Sequence, residues 1–148
     1  MAEIGFYHLL TTPLERALPR LLERALAQGH RVVVQAASPE RVEHLNALLW
    51  TYDEASFLPH GAPRDGNAAA QPVWLTDRCE NPNGASILFL VDGVAAEGLA
   101  DYARCVDLFD GNNEEAVAAA RVRWRAASAA GYTLTYWQQT EKGWEKKA

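Results

Sequence analysis

The chain has 148 residues, with 14 Lys plus Arg against 19 Asp plus Glu, a net charge of −5, 49% hydrophobic residues and two Cys. A chain of this length buries roughly 70% of the surface its unfolded form exposes, so one domain without a disulfide staple is sufficient, and the composition excludes a disordered, collagen-like or mini-protein chain. The acidic balance argues against broad nonspecific binding to nucleic acid, which needs a surplus of Lys and Arg on some face.

At the N-terminus, Met1-Ala2-Glu3-Ile4-Gly5 lacks a basic segment followed by an apolar core, so a cytoplasmic location is expected. Ile4 to Leu10 reads as a strand. Thr11 or Thr12 is a candidate cap and Pro13 a first helical residue, before Leu14, Ala17, Leu18, Leu21, Leu22, Ala25 and Leu26 repeat at helical spacing up to Gly29. Arg31 to Ala36 is a β-branched run suited to a strand covered on both faces, and Ser38-Pro39-Glu40 opens a second helix whose stripe of Val42, Leu45, Leu48 and Leu49 ends at Trp50. From Thr51 to Pro72 the residues predict an exposed excursion. Strands are predicted at Pro72 to Thr76 and at Ile87 to Val91, whose apolar run is far too short to cross a bilayer, so no spanning helix and no membrane partner are expected. A short helix around Glu97 to Tyr102 leads into Cys105 to Phe109. Asp110 to Asn113 supplies a turn and cap for a long alanine-rich helix to Ala130, and Gly131 precedes a last strand over Tyr132 to Trp137.

Strands alternating with helices imply an α/β fold: a single layered domain over residues 1–140, with a mostly parallel twisted sheet flanked by helices. It is Rossmann-like but has no nucleotide-binding glycine loop, since neither G-x-G-x-x-G nor G-x-x-x-x-G-K-[ST] occurs. Residues 141–148 read as a charged C-terminal tail.

The chemistry-bearing residues are sparse. Cys79 and Cys105 are isolated and His8, His30 and His44 are scattered, so no metal site and no cofactor are expected. No G-x-S-x-G offers a nucleophile. An enzyme would have to use Asp53, Glu54 and His60 in the central loop as acid, base or ligands. Around them, Trp50, Phe57, Leu58 and Pro59 concentrate large apolar groups, either as cover for the end of the core or as a docking patch. On the last helix, Arg121 and Arg125 are one turn apart with Trp124 between them. Such a face is either a solvated arginine surface with one packed indole or a site for a short acidic peptide with a hydrophobic terminal residue. Direct binding of single-stranded DNA along Arg121, Arg123 and Arg125 is a further alternative.

Taken together, Phe6-Tyr7-His8-Leu9, the Leu45 to Trp50 helix end followed by Ser56-Phe57-Leu58-Pro59-His60, and Arg121 to Arg125 with Ala130-Gly131-Tyr132 resemble the chi subunit family of bacterial DNA polymerase III. The resemblance implies a noncatalytic accessory subunit of the polymerase holoenzyme, acting in DNA replication. It would link single-stranded DNA-binding protein, through that protein's acidic C-terminal tail, to the clamp-loader complex, touching single-stranded DNA only indirectly. By position, Arg121, Trp124 and Arg125 would hold the tail, with Phe109 and Val117 walling an apolar pocket. Val117 stands where some relatives carry a Lys and Trp124 where they carry a Tyr. Trp50, Phe57, Leu58 and Pro59 would bind the psi subunit, or another clamp-loader or helicase partner.

Overall fold

The computed structural model describes residues 2–52 and 58–148. In chain order these form β1 (Glu3–Leu9), α1 (Leu14–Ala27), β2 (Val32–Gln35), α2 (Pro39–Thr51), β3 (Val73–Thr76), β4 (Ile87–Leu90), β5 (Arg104–Asp110), α3 (Glu114–Ala129), β6 (Thr133–Thr140) and β7 (Gly143–Lys146). All seven strands join one sheet in the order β3-β2-β4-β5-β1-β6-β7, parallel except for the antiparallel β7, which makes the protein a single layered α/β domain.

Local chemistry accounts for most element ends. The Ser38 hydroxyl accepts the Arg41 N–H at 3.2 Å at the start of α2, and the Asn113 carboxamide oxygen accepts from Glu115 and Ala116 at 3.0 and 3.1 Å at the start of α3. Gly29 and Gly131 close α1 and α3 at φ +86° and +88°. Neither Thr11 nor Thr12 caps α1; Pro13 stands at the cap without a side-chain bond. The Gln139 side-chain oxygen on β6 instead gathers the N–H groups of Leu10, Thr11 and Thr12 at 2.9–3.1 Å, tying this turn to the strand beside β1.

The sheet separates two apolar layers. On one face α1 and α2 bury Leu18, Leu22, Leu45 and Leu49 against Val32, Val34, Phe89 and Leu108. On the other, α3 and the 3-10 turn Leu99–Asp101 cover Ile4, Phe6, Leu88, Leu90 and Cys105. Among the described residues the second face therefore receives one α-helix, because residues 97–102 tighten to a single 3-10 turn in place of the predicted short helix.

Two segments differ from their sequence reading. Part of the 51–72 excursion is core: Leu58, His60, Gly61 and Ala62 are buried, and Gly61 pairs with the β3 edge through Gly61 N–H to Val73 O at 3.0 Å and Leu75 N–H to Gly61 O at 2.8 Å. Residues 141–148 are not a trailing charged tail. β7 pairs with β6 from Trp137↔Lys146 to Thr140↔Gly143, and Trp144 packs beside the first apolar layer. The charges obscured a strand whose apolar anchor is that one indole.

Candidate functional site

Parallel α/β sheets usually bind ligands at the carboxyl ends of strands whose crossovers leave in opposite directions. Here those strands are the neighbours β1 and β5, since β1 leads through α1 to β2 and β5 through α3 to β6. A crevice of about 460 Å³ does open there, but its chemistry is unsuited to phosphate. Arg41 Nε already donates to both Asp92 carboxylate oxygens at 3.1 and 3.2 Å, and Arg123 is held by Asp107. Asn113 occupies two of the first N–H groups of α3, and Asp110 and Glu115 add negative charge to the wall.

A second depression, of about 280 Å³, lies between α3 and the sheet. The register explains its floor. Phe6 on β1 is opposite Asp107 on β5 and Tyr136 on β6, and one step along, His8 is opposite Phe109, so these side chains share the α3 face. From α3, Val117, Ala120, Arg121, Trp124 and Arg125 recur at helical spacing and line the same depression. Only Ala120 is fully buried on this helix, so its small side chain sets the close approach while the larger ones flank the opening.

Aromatic rings fix the geometry. Trp124 meets Phe6 edge-on at 5.2 Å between centroids and Tyr136 at 6.1 Å. Below them, His8 lies 5.0 Å from Phe109, and its Nδ1 shares a hydrogen bond with the Tyr136 hydroxyl. Gly111 closes this layer, because a Cβ there would collide with the His8 ring. Burial pushes the Tyr136 phenol up from its ordinary range, with nearby Arg121 opposing. Arg121 and Arg125 are exposed and form no ion pair among the described residues. The arrangement is an apolar, aromatic-walled slot with two uncommitted guanidiniums at its mouth.

Arg123 is placed differently. Its Nε and Nη2 donate to the two oxygens of buried Asp107 at 2.7 and 2.9 Å, an interaction that fastens α3 to β5. Burial pushes the Asp107 carboxyl up from its ordinary range, and Arg123 opposes that shift. A continuous groove along Arg121, Arg123 and Arg125 is therefore not formed.

All five residues expected around the α3 pocket, Phe109, Val117, Arg121, Trp124 and Arg125, are thus brought together. Phe6, Ala120 and Tyr136 complete the lining and are not among the residues the sequence points to. Phe6 and His8 alternate in phase along β1, so a shared face was legible; that β6 lies beside β1 was not.

Around Trp50 the residues divide. Trp50 is 55% exposed and its ring rests 4.6 Å from that of His60. Pro59 is half-buried, while Leu58, at 2% exposed, belongs to the core and cannot serve as a docking contact. Phe57, Asp53 and Glu54 lie outside the described residues. His60 is buried, with Nδ1 donating to Leu58 O at 2.7 Å and Nε2 at 3.3 Å from Asn46 O, so its ring ties the loop to α2 rather than facing a substrate. Among the described residues no three His, Cys, Asp or Glu are grouped to hold a metal ion, and no helix is long and apolar enough to cross a membrane. Cys79 is exposed and Cys105 is buried, the latter with its thiol pushed up by desolvation.

The family model for DNA polymerase III chi subunit, HolC, matches residues 1–135. This chain belongs to the chi subunit family of DNA polymerase III. The match spans β1 through the start of β6, and so includes the Trp50 region and all of the α3 cleft lining except Tyr136. A relative from Rickettsia prowazekii (strain Madrid E), named probable DNA polymerase III subunit chi, is 34% identical over 91 residues. Those residues are 62% of this chain and 55% of the relative, so the alignment spans about half of that protein's length.

Proposed function

We propose that this chi-family chain is a noncatalytic replication adaptor that binds the acidic, phenylalanine-ended C-terminal tail of single-stranded DNA-binding protein in the α3 cleft. The observation that carries this reading is the pairing of the uncommitted Arg121 and Arg125 with an apolar slot walled by Phe109, Val117, Trp124 and Tyr136. A terminal aromatic side chain fills the slot while the arginines take carboxylates bidentately, the interaction that guanidiniums make best. The chain's overall charge of −5 disfavours a nucleic-acid strand but leaves this local cationic mouth free to select an acidic peptide. An affinity on the order of micromolar, about −8 kcal/mol, suits a contact that exchanges quickly.

The second half of the adaptor, a link to the clamp loader through psi or another clamp-loader or helicase partner, would use Trp50 with Phe57 and Pro59. Support for it here is the exposed indole of Trp50. Aromatic anchors of this kind carry much of the energy of protein interfaces.

Calorimetric titration with an acidic peptide ending in Ile-Pro-Phe, beside a control lacking the final Phe, tests the tail site. Binding that requires the Phe and weakens between low and moderate salt is the expected result. Equal binding of both peptides, or none, overturns it.

A further inference from the structure

On the opposite face of the sheet, a separate cavity of about 200 Å³ lies between α1 and the strands β4, β5, β1, β6 and β7. Its walls combine aromatic rings with cations. Tyr7 stacks on Trp137 at 5.9 Å and 12°, and Trp144 meets Tyr7 edge-on at 5.0 Å. Gly5 makes room for this cluster, because a Cβ there would stand 2.8 Å from the Tyr7 ring. Arg24 from α1 and Arg104 from β5 join a lining that is otherwise mostly apolar.

Neither arginine has an ion-pair partner among the described residues, although Glu3 is the cross-strand neighbour of Arg104. Arg104 Nη2 donates to the Tyr7 hydroxyl at 2.9 Å, but its Nε is buried and makes no hydrogen bond. A buried cationic donor left unmatched bears its desolvation cost without return, unless an acceptor is supplied from outside the chain.

We propose that this cavity is a second binding site, for an acidic peptide segment carrying an aromatic or large aliphatic side chain. The side chain enters beside Trp137 and Trp144, and a carboxylate bridges Arg24 and Arg104. The volume admits one large side chain. Two cations beside Glu3, in a chain of net charge −5, complement one or two carboxylates and fall short of the extended cationic track that a nucleic-acid strand requires. This site stands independently of the α3 cleft, from which the whole thickness of the sheet separates it.

The test uses the full chain and the indole N–H resonances of its five tryptophans, assigned by single Trp→Phe substitutions. The probe is acetyl-Asp-Asp-Asp-Phe with a free C-terminal carboxylate, set against its Asn-for-Asp counterpart with an amidated C-terminus and against an oligothymidylate. Saturable shifts of Trp137 and Trp144 with the acidic peptide alone are expected. Arg24→Ala, at an exposed helix position, and Arg104→Gln should each weaken that titration about tenfold or more while leaving the Trp124 titration unchanged. Trp124 reports the α3 cleft, so a silent Trp124 with shifting Trp137 and Trp144 removes the proposed tail site and leaves this one. Unmoved Trp137 and Trp144 signals at millimolar peptide overturn the proposal, as do equal shifts with the neutral peptide or shifts only with the oligothymidylate.

Discussion

Replacing Arg123 by Ala isolates the interaction that holds α3 on the sheet. The Arg123 side chain is 15% exposed and that of Asp107 4%, and two hydrogen bonds of 2.7 and 2.9 Å join them. Removing the guanidinium strands a carboxylate in the interior, a change that costs about 3–5 kcal/mol. In a domain of this size that corresponds to a fall in Tm on the order of 10 °C. The cost should depend on pH. Burial already raises the Asp107 pKa above 3.8, and loss of Arg123 removes the opposing influence, so the variant's folded-state pKa rises further. Between the unfolded and folded values the native state binds more protons than the unfolded state, so stability falls as pH rises through that window. The deficit of Arg123→Ala relative to the parent chain should therefore shrink on acidification, by at most about 1.4 kcal/mol per pH unit. Urea unfolding of both chains between pH 8 and pH 5 measures this. Replacing both partners, as Asp107→Leu with Arg123→Met, should restore most of the stability because no buried charge is left unpaired. A deficit for Arg123→Ala below about 1 kcal/mol, or one that is constant with pH, refutes the reasoning.

Leu58→Ala should cost about 2–5 kcal/mol in urea unfolding, as for a core leucine, whereas Pro59→Ala should cost well under that; equal small effects would return Leu58 to the surface. Trp124→Ala should weaken the Phe-ended peptide by roughly 1–3 kcal/mol in calorimetry, and unchanged affinity in a folded variant would remove Trp124 from the site. Because Phe6 and Tyr136 pack on the indole, the same variant should also lose about 2 kcal/mol of stability. Deleting residues 141–148 removes β7 and Trp144 and should destabilise the fold by about 2 kcal/mol or more; an unchanged unfolding midpoint would make that strand dispensable.

Much of this protein was determined by local pattern. The 3.6-residue repeat of α1, the Ser38 and Asn113 caps, the left-handed Gly29 and Gly131 and the β-branched β2 depend on neighbours a few residues away, so they can be read along the chain. Helical spacing likewise places Arg121, Trp124 and Arg125 on one side, and sets Arg123 about 200° from Arg121. Tertiary structure alone decided what those faces meet. The adjacency of β6 and β1 brings Tyr136 and Phe6 into the cleft, and the packing of α3 on β5 puts Asp107 where it can take Arg123. Leu58 became core because the Gly61 pairing with β3 draws its segment into the first apolar layer, and residues 143–146 became a strand because they turn back on β6 in a tight hairpin that brings Trp144 to that layer. A period of two or of 3.6 specifies which side chains share a face; pairing between distant segments specifies which faces touch, and the cleft exists only where such faces meet.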